Sequence, residues 1–600
     1  MTSRLFAVSS SVLLLVAASS SVAGGQPSHG DPWRCGSGAH SLSHLGDHVY
    51  PEVGNGGYTS LHTDVHLAYD APSNQFLPGN HVVLTDWATQ CLSDFSLDFE
   101  RHSAANPVDG PDLTVQSITV NGRPASFRFV QPTYPGDPKG QNDPDPLSHQ
   151  ASQVNPVGGP QHNPLPPACS PEVTGDDVNA QNGEPCPANK LVITPRRPIY
   201  PGELFQVTVN YTGRPGVHLA GDGTTDGWFR SDDPPGDGGF VTTEPLGTED
   251  WMPLNNHPSA KPTYDFYDTV NAGKTAVANG ILLSTVHSRP NANFPGGSTT
   301  FHWHSAAPIA NYLVESSVGS FDLTSHLGSD GIRYYEVQAS SITPAQKQAN
   351  LAIMEQQQDI TDFQAQFNGR FPFSSDGVLV GLPSASFEEE MQTMITFEGG
   401  QIGLRTFNHE NFHQWWGDNV SEANFNLTFF KEGMATLGEY LYVARNAQTA
   451  AGGAGTAAGS AAFEASLVDR FNTNYASTRL WTGTPSDPTP ATLFSGSSTY
   501  TRPGTAYLAL RQILGADNFT RALQRIQRDY GGRSITEKQL EAEFSRFMPN
   551  RSQACSTRLD QFFAQWFDTA YPAGGGANRP QLTGPGLAGP GFYDADGRCG

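Results

Sequence analysis

At 600 residues the chain is too long for a single domain of ordinary size and has enough sequence for two sizeable cores with insertions. Apolar residues make up 37% and charged residues only 15%, with 63 Gly and 46 Pro, a mix that fits a turn-rich globular protein and not a helical bundle. The formal net charge of −24 is spread along the chain, which argues against nucleic acid as a partner and favours solubility.

The first residues read as a secretory signal over 1–23. Arg4 supplies a basic start, Leu5 to Ala18 is mostly apolar, and Ser21-Val22-Ala23 is a small-residue cleavage site. The expectation is therefore an exported, extracellular protein. No other apolar run is long enough to span a bilayer, so no membrane partner is expected. A leader segment follows over 24–44. The six cysteines are Cys35, Cys91, Cys169, Cys186, Cys555 and Cys599, an even number that favours disulfides in an exported chain. Cys169 with Cys186 and Cys555 with Cys599 are local pairings, and the spacing leaves the connectivity open.

Residues 45–268 read as a β domain. Val65, Leu67 and Tyr69 alternate with polar residues, as do Phe95, Leu97 and Phe99, and Phe205, Val207, Val209 and Tyr211. Asn121-Gly122 lies between the runs Ile118–Val120 and Phe127–Phe129, a hairpin signal in an antiparallel domain. A stretch at about 132–189, rich in Pro, Gly, Asn and Asp, reads as a surface insertion that Cys169 and Cys186 would staple. Helical signals dominate from residue 343. Thr343-Pro344 opens a helix running to Asn368-Gly369. A Gly/Ala/Ser loop follows near 450–462, with further helices near 504–515, 517–529, 536–547 and 557–570. Leu559, Phe562, Phe563, Trp566 and Phe567 give the last an apolar face. The catalytic region is expected over 269–572, and the Gly/Pro-rich tail from Ala573 is expected to be poorly ordered.

The chemistry sits at His409-Glu410-Asn411-Phe412-His413. On a helix, residues i and i+4 share a face, so both imidazoles reach one ion, while Glu410 lies about 100° round the axis, beside the ion, where a general base belongs. Chance would give this pattern in roughly a few per cent of chains of this size. Glu432 follows with 18 residues between it and His413. A second helix carrying Glu432 completes a two-His, one-Glu set with an open fourth position, the arrangement of a catalytic zinc. Glu439, seven residues on, falls near the same face and suits an outer partner of a ligand, or plain surface charge.

The run His409-Glu410-Asn411-Phe412-His413-Gln414-Trp415-Trp416-Gly417-Asp418, followed by Glu432-Gly433-Met434-Ala435, resembles the aminopeptidase N family of zinc peptidases. Trp251-Met252-Pro253, Asn255-Asn256, Pro258 to Phe266 and Asn279-Gly280 extend the likeness, which covers about 45–570. It implies an α+β multidomain fold, a saddle-like antiparallel β domain followed by a thermolysin-like, mainly helical catalytic domain, with one zinc ion as cofactor. By the resemblance, His409, His413 and Glu432 are the zinc ligands and Glu410 the base. Glu244 and Glu390 match the carboxylates that bind a substrate's free α-amine, with Glu388 and Glu389 adding negative charge. Tyr500, in Thr499-Tyr500-Thr501-Arg502, matches the tyrosine that donates to the oxyanion. The sequence departs from the family at Phe387-Glu388-Glu389-Glu390-Met391, where a glycine is lost, at Lys431 in place of Asn, and at Pro503 in place of Gly. It also stops soon after the catalytic helices, so the expected form is short and lacks a large C-terminal helical domain. The expected function is a secreted zinc aminopeptidase acting on peptides with a free N-terminus. The competing readings are a zinc peptidase of broader specificity and a non-catalytic peptide-binding relative.

Overall fold

The computed structural model describes residues 35, 47, 49–50, 53–101, 110–130, 190–220, 222–231, 238–383, 385, 387–450, 460–572 and 579–599. The expected signal peptide 1–23 and insertion 132–189, with Cys169 and Cys186, lie outside these residues. The alternation read from the sequence becomes a ten-stranded sheet. In Leu204–Arg214, Phe205, Val207, Val209 and Tyr211 all point into the core, against Val82 and Leu84 of His81–Ala88. Trp228, Trp251 and Trp303 fill the same core.

The sheet is mixed rather than purely antiparallel. Tyr58–His66 pairs with His81–Ala88 antiparallel but with Thr263–Asn271 parallel, a partner about 200 residues away that local alternation does not reveal. The Asn121-Gly122 turn is present, both residues at positive φ, and joins Asp112–Val120 to Arg123–Pro124. The expected second arm, Ser126–Val130, leaves instead to pair with Lys190–Thr194 in a separate three-stranded sheet.

The expected boundary at 268/269 falls inside the strand Thr263–Asn271. That strand, with Ile281–Ser288 and Ser298–Ser305, completes the large sheet. A new sheet begins only at Phe321–Leu327, followed by Arg333–Ala339, Ser375–Val380 and Met394–Phe397. Its last two pairings are parallel, and the crossover between its second and third strands holds α1 (Pro344–Met354) and α2 (Gln357–Asn368). The single helix expected over 344–368 is thus two. Thr343 caps the first, its hydroxyl accepting from Gln346 N. The break turns Met354 towards the small core beside the sheet and Phe363 and Phe367 towards the main helical core.

Strand Met394–Phe397 leads into α3 (Leu404–His413), which lies against α4 (Thr428–Ala450). Gly438 permits this approach, since a Cβ there would stand 2.5 Å from Phe412 Cγ. The remaining helices are α5 (Ala461–Ala476), α6 (Arg502–Leu514), α7 (Ala516–Tyr530), α8 (Glu537–Ser545) and α9 (Gln553–Phe563). Pro503 stands in the first turn of α6, where proline is tolerated. Among the described residues no helix is long and apolar enough to cross a membrane.

The tail expected to be loose is packed over 579–599. Trp566 donates to Leu582 O at 2.9 Å, Tyr475 donates to Pro580 O at 2.8 Å, and Phe592 is fully buried in the helical core. A Cys555–Cys599 disulfide closes this end, as one of the local pairings anticipated, and a Cys35–Cys91 disulfide joins the leader to the β domain. Gly and Pro richness misled because Leu582, Phe592 and Cys599 are buried in the helical core and seat the segment. Replacing Phe592 by Ala is expected to cost about 3–5 kcal/mol, the range for emptying a buried phenylalanine site, read by urea unfolding. A change below about 1 kcal/mol would place the segment outside the cooperative fold.

Candidate active site

All seven expected site residues, Glu244, Glu390, His409, Glu410, His413, Glu432 and Tyr500, line one cavity of about 340 Å³. α3 carries His409 and His413 one turn apart, and α4 brings Glu432 to them. His409 Nδ1 lies 2.9 Å from Glu439 Oε1, and His413 Nδ1 lies 2.8 Å from the carbonyl oxygen of Trp416. Each ring therefore donates through Nδ1 and turns Nε2 inward, to 3.1 Å and 3.3 Å from Glu432 Oε2. One donor atom from each of the three residues lies within 4.8 Å of the others. Two imidazole nitrogens and one carboxylate, each ring fixed by an outer acceptor, is the donor set that zinc takes in a catalytic site.

The Trp-Gly-Asp turn after α3 shapes this arrangement. Gly417 has φ +116°, outside the range a side chain adopts comfortably, and a Cβ there would stand 3.2 Å from Lys431 Cδ and 3.3 Å from His413 Nδ1. Arg405, at the start of α3, hydrogen-bonds Glu439 and so holds the partner of His409.

Electrostatics divide the acids by role. Burial pushes the Glu410 carboxyl well above the usual range, and the charges of Glu390 and Glu432 add to this against the pull of His409. Burial opposes ionisation of Glu432 as well, but Lys431 and His413 override it and hold that carboxyl well below the ordinary value. Burial raises the Tyr500 hydroxyl far above 10, reinforced by Glu432 and Glu244, so the phenol keeps its proton and is a donor. Its ring lies 5.9 Å from that of His409. Arg502 fixes the segment by donating to Gly483 O, Gln565 O and Thr569 O.

Lys431 holds a position that the sequence alone did not disclose. Its Nζ, fully buried, lies 2.6 Å from Glu244 Oε1, 2.5 Å from Glu390 Oε1 and 2.9 Å from Glu432 Oε1. The two carboxylates expected to meet a substrate amine thus share an ammonium from the chain itself. Glu390 is held low by His413 and Lys431 against burial, whereas burial and the charges of Glu390 and Glu432 push Glu244 up. Glu389 is turned away from the cavity, accepting Thr243 N at 2.7 Å beside Glu244, while Glu388 lines the cavity. Gln414, also unmarked in the sequence reading, pins the Glu390 loop by donating to Glu390 O at 2.9 Å and accepting from Thr393 N. Glu439 had a usable signal in its spacing from Glu432. The contacts of Lys431 with Glu244 and Glu390 and of Gln414 with Glu390 and Thr393 had none, because those partners come from other parts of the chain.

Residues 401–566 match the Peptidase family M1 domain. The fold is similar to that of an M1 zinc metallopeptidase from Deinococcus radiodurans, 21% identical with a TM-score of 0.63, the match covering 88% of this chain and 99% of that one. A mutant of the Deinococcus radiodurans M1 zinc metallopeptidase bound to a Tyr-ser-ala substrate matches at 21% identity and TM-score 0.62. A two-domain M1 zinc metallopeptidase mutant bound to L-arginine matches at 21% and 0.64, each of these with the same coverage. No curated protein matches this chain. The chain carries a peptidase family M1 domain, and its sheet-rich first part and helical second part form the two-domain fold of M1 zinc metallopeptidases.

Zinc is the metal of that class, and His409, His413 and Glu432 fit it. Replacing Glu439 by Ala frees the His409 ring and is expected to weaken zinc binding by about 10–100-fold, measured by competition with a fluorescent chelator. An unchanged affinity would show that Glu439 does not orient the ligand.

Proposed function

We propose that the chain is a secreted aminopeptidase that uses one zinc ion to hydrolyse the first peptide bond of substrates with a free N-terminus. One observation carries the reading: the inward Nε2 atoms of His409 and His413, the Glu432 carboxylate, Glu410 and the amine-facing pair Glu244 and Glu390 all open on one cavity. His409, His413 and Glu432 would hold the zinc, which when bound would supply Lewis acidity towards water and the scissile carbonyl. Glu410, whose carboxyl burial pushes upward, takes the water's proton and delivers it to the leaving amine. Tyr500 donates its hydroxyl proton in a hydrogen bond to the developing oxyanion. Glu244 and Glu390 hold the substrate ammonium, which sets the cut one residue from the end. The likeness to a peptidase bound to a Tyr-ser-ala substrate supports a peptide as the class of substrate. The sequence of residues 1–23 supports export.

A second reading is favoured by Lys431. Glu244 and Glu390 already carry an ammonium, so a substrate amine competes with the chain for them. If Lys431 keeps its place, N-blocked peptides are cut too and the activity is that of a broader zinc peptidase.

Hydrolysis of amino-acid aminomethylcoumarin amides, free and N-acetylated, separates these readings. A blocked substrate forfeits two charge-assisted hydrogen bonds of about 1.5–3 kcal/mol each, so an aminopeptidase is expected to prefer the free amine by ~10²–10⁴-fold. Comparable cleavage of both supports the broader peptidase, and no chelator-sensitive turnover on either refutes enzymatic activity. Glu410→Gln is expected to keep zinc and lose about 10²–10⁴-fold in kcat. Tyr500→Phe is expected to lose about 10²–10³-fold in kcat with KM little changed. Full turnover in either variant would remove that residue from the chemistry.

A further inference from the structure

A second cluster of metal-binding side chains lies on the solvent side of the ten-stranded sheet, and none of its members lines the catalytic cavity. Its origin is the strand register. Parallel pairing sets Asp64 of Tyr58–His66 beside Asp265 of Thr263–Asn271. Antiparallel pairing sets Asp265 opposite His304, and Tyr267 opposite His302, in Ser298–Ser305. Because side chains alternate along a strand, His62 and Asp64, Asp265 and Tyr267, and His302 and His304 emerge on one face.

The side chains then converge. His62 Nδ1 lies 2.8 Å from Thr263 Oγ1, which turns Nε2 towards Asp64 Oδ1 at 3.4 Å and Asp265 Oδ2 at 3.6 Å. His302 Nε2 lies 2.7 Å from Asp265 Oδ1, and His304 Nδ1 lies 3.1 Å from the same carboxylate. The His302 ring is held by a column of stacked rings, against Tyr267 at 4.2 Å, Tyr267 against His66 at 4.6 Å and His66 against His81 at 4.3 Å. Two carboxylates side by side on paired strands repel, and a bound dication would offset that repulsion alongside the neighbouring imidazoles. Donors about 2.1 Å from a tetrahedral ion stand roughly 3.4 Å apart, which matches the spacing of His62 Nε2 from its two acids.

We propose that His62, Asp64 and Asp265 form a second, non-catalytic site for a divalent late first-row transition ion such as zinc, with His302 holding the Asp265 carboxylate from outside. Mixed imidazole and carboxylate donors suit such ions, the two acids offset the ion's charge, Thr263 orients His62 beforehand, and the ring column steadies His302. The bound ion would pin two paired strands from distant parts of the sequence.

Metal content by inductively coupled plasma mass spectrometry, after dialysis of the full chain against buffered Zn²⁺, tests this. Two zinc ions per chain are expected, falling to one in His62→Ala/His302→Ala and in Asp265→Asn, with peptide hydrolysis unchanged. In His409→Ala/His413→Ala one zinc is expected to remain, an arm that separates failure of this site from failure of the peptidase reading. Loss of all zinc there, or retention after His62 and His302 are also replaced, overturns the proposal. An anomalous difference map at the zinc edge, from crystals of the unmodified chain, decides without variants. A peak between His62 and Asp265 supports the site, and none there overturns it.

Discussion

Gathering buried Glu390, Glu410 and Glu432 and half-buried Glu244 around one small cavity is the constraint to which the rest of the site answers. Isolated buried carboxylates are costly, so each must be neutralised, hydrogen-bonded or paired. Lys431 takes up part of the charge by touching three of them. The inward imidazole nitrogens face Glu432. What remains is a cavity where the donor set of His409, His413 and Glu432 suits a metal dication.

Delivering those groups is a packing problem solved by α3 and α4. The helices meet closely because Gly438 leaves room for Phe412, and the tight turn at Gly417 brings the Trp416 carbonyl back onto His413. Every ring orientation in the site depends on an atom that is not itself a ligand: a carboxylate of Glu439, a main-chain oxygen of Trp416, a guanidinium at Arg405. The β part contributes Glu244 from a loop held by Glu389, so the catalytic cavity is completed across both halves of the chain.

Much of this was legible in the sequence because its signals are local. The i, i+4 histidines need only a helix, and Phe205, Val207, Val209 and Tyr211 need only a half-buried strand. What escaped were the non-local choices. The parallel partner of Tyr58–His66 lies about 200 residues away, and Ser126–Val130 left its apparent hairpin for a strand beyond the insertion. Lys431 read as a departure from a family pattern, and only the fold reveals that three acids surround it. The C-terminal segment was misjudged because composition weighs Gly and Pro heavily, whereas buried Leu582 and Phe592 and the Cys555–Cys599 disulfide hold it to the helices.

The continuation of the large sheet through Ser298–Ser305 has a practical outcome for dissecting the molecule. A fragment stopping at 268 would strip what remains of Thr263–Asn271 of its antiparallel partner Ser298–Ser305, baring unpaired amides and carbonyls that invite self-association. A cut near residue 320 falls where one sheet has ended and the next has not begun, but the front core also draws on Tyr335, Val337, Leu379, Met391 and Met394 from beyond it.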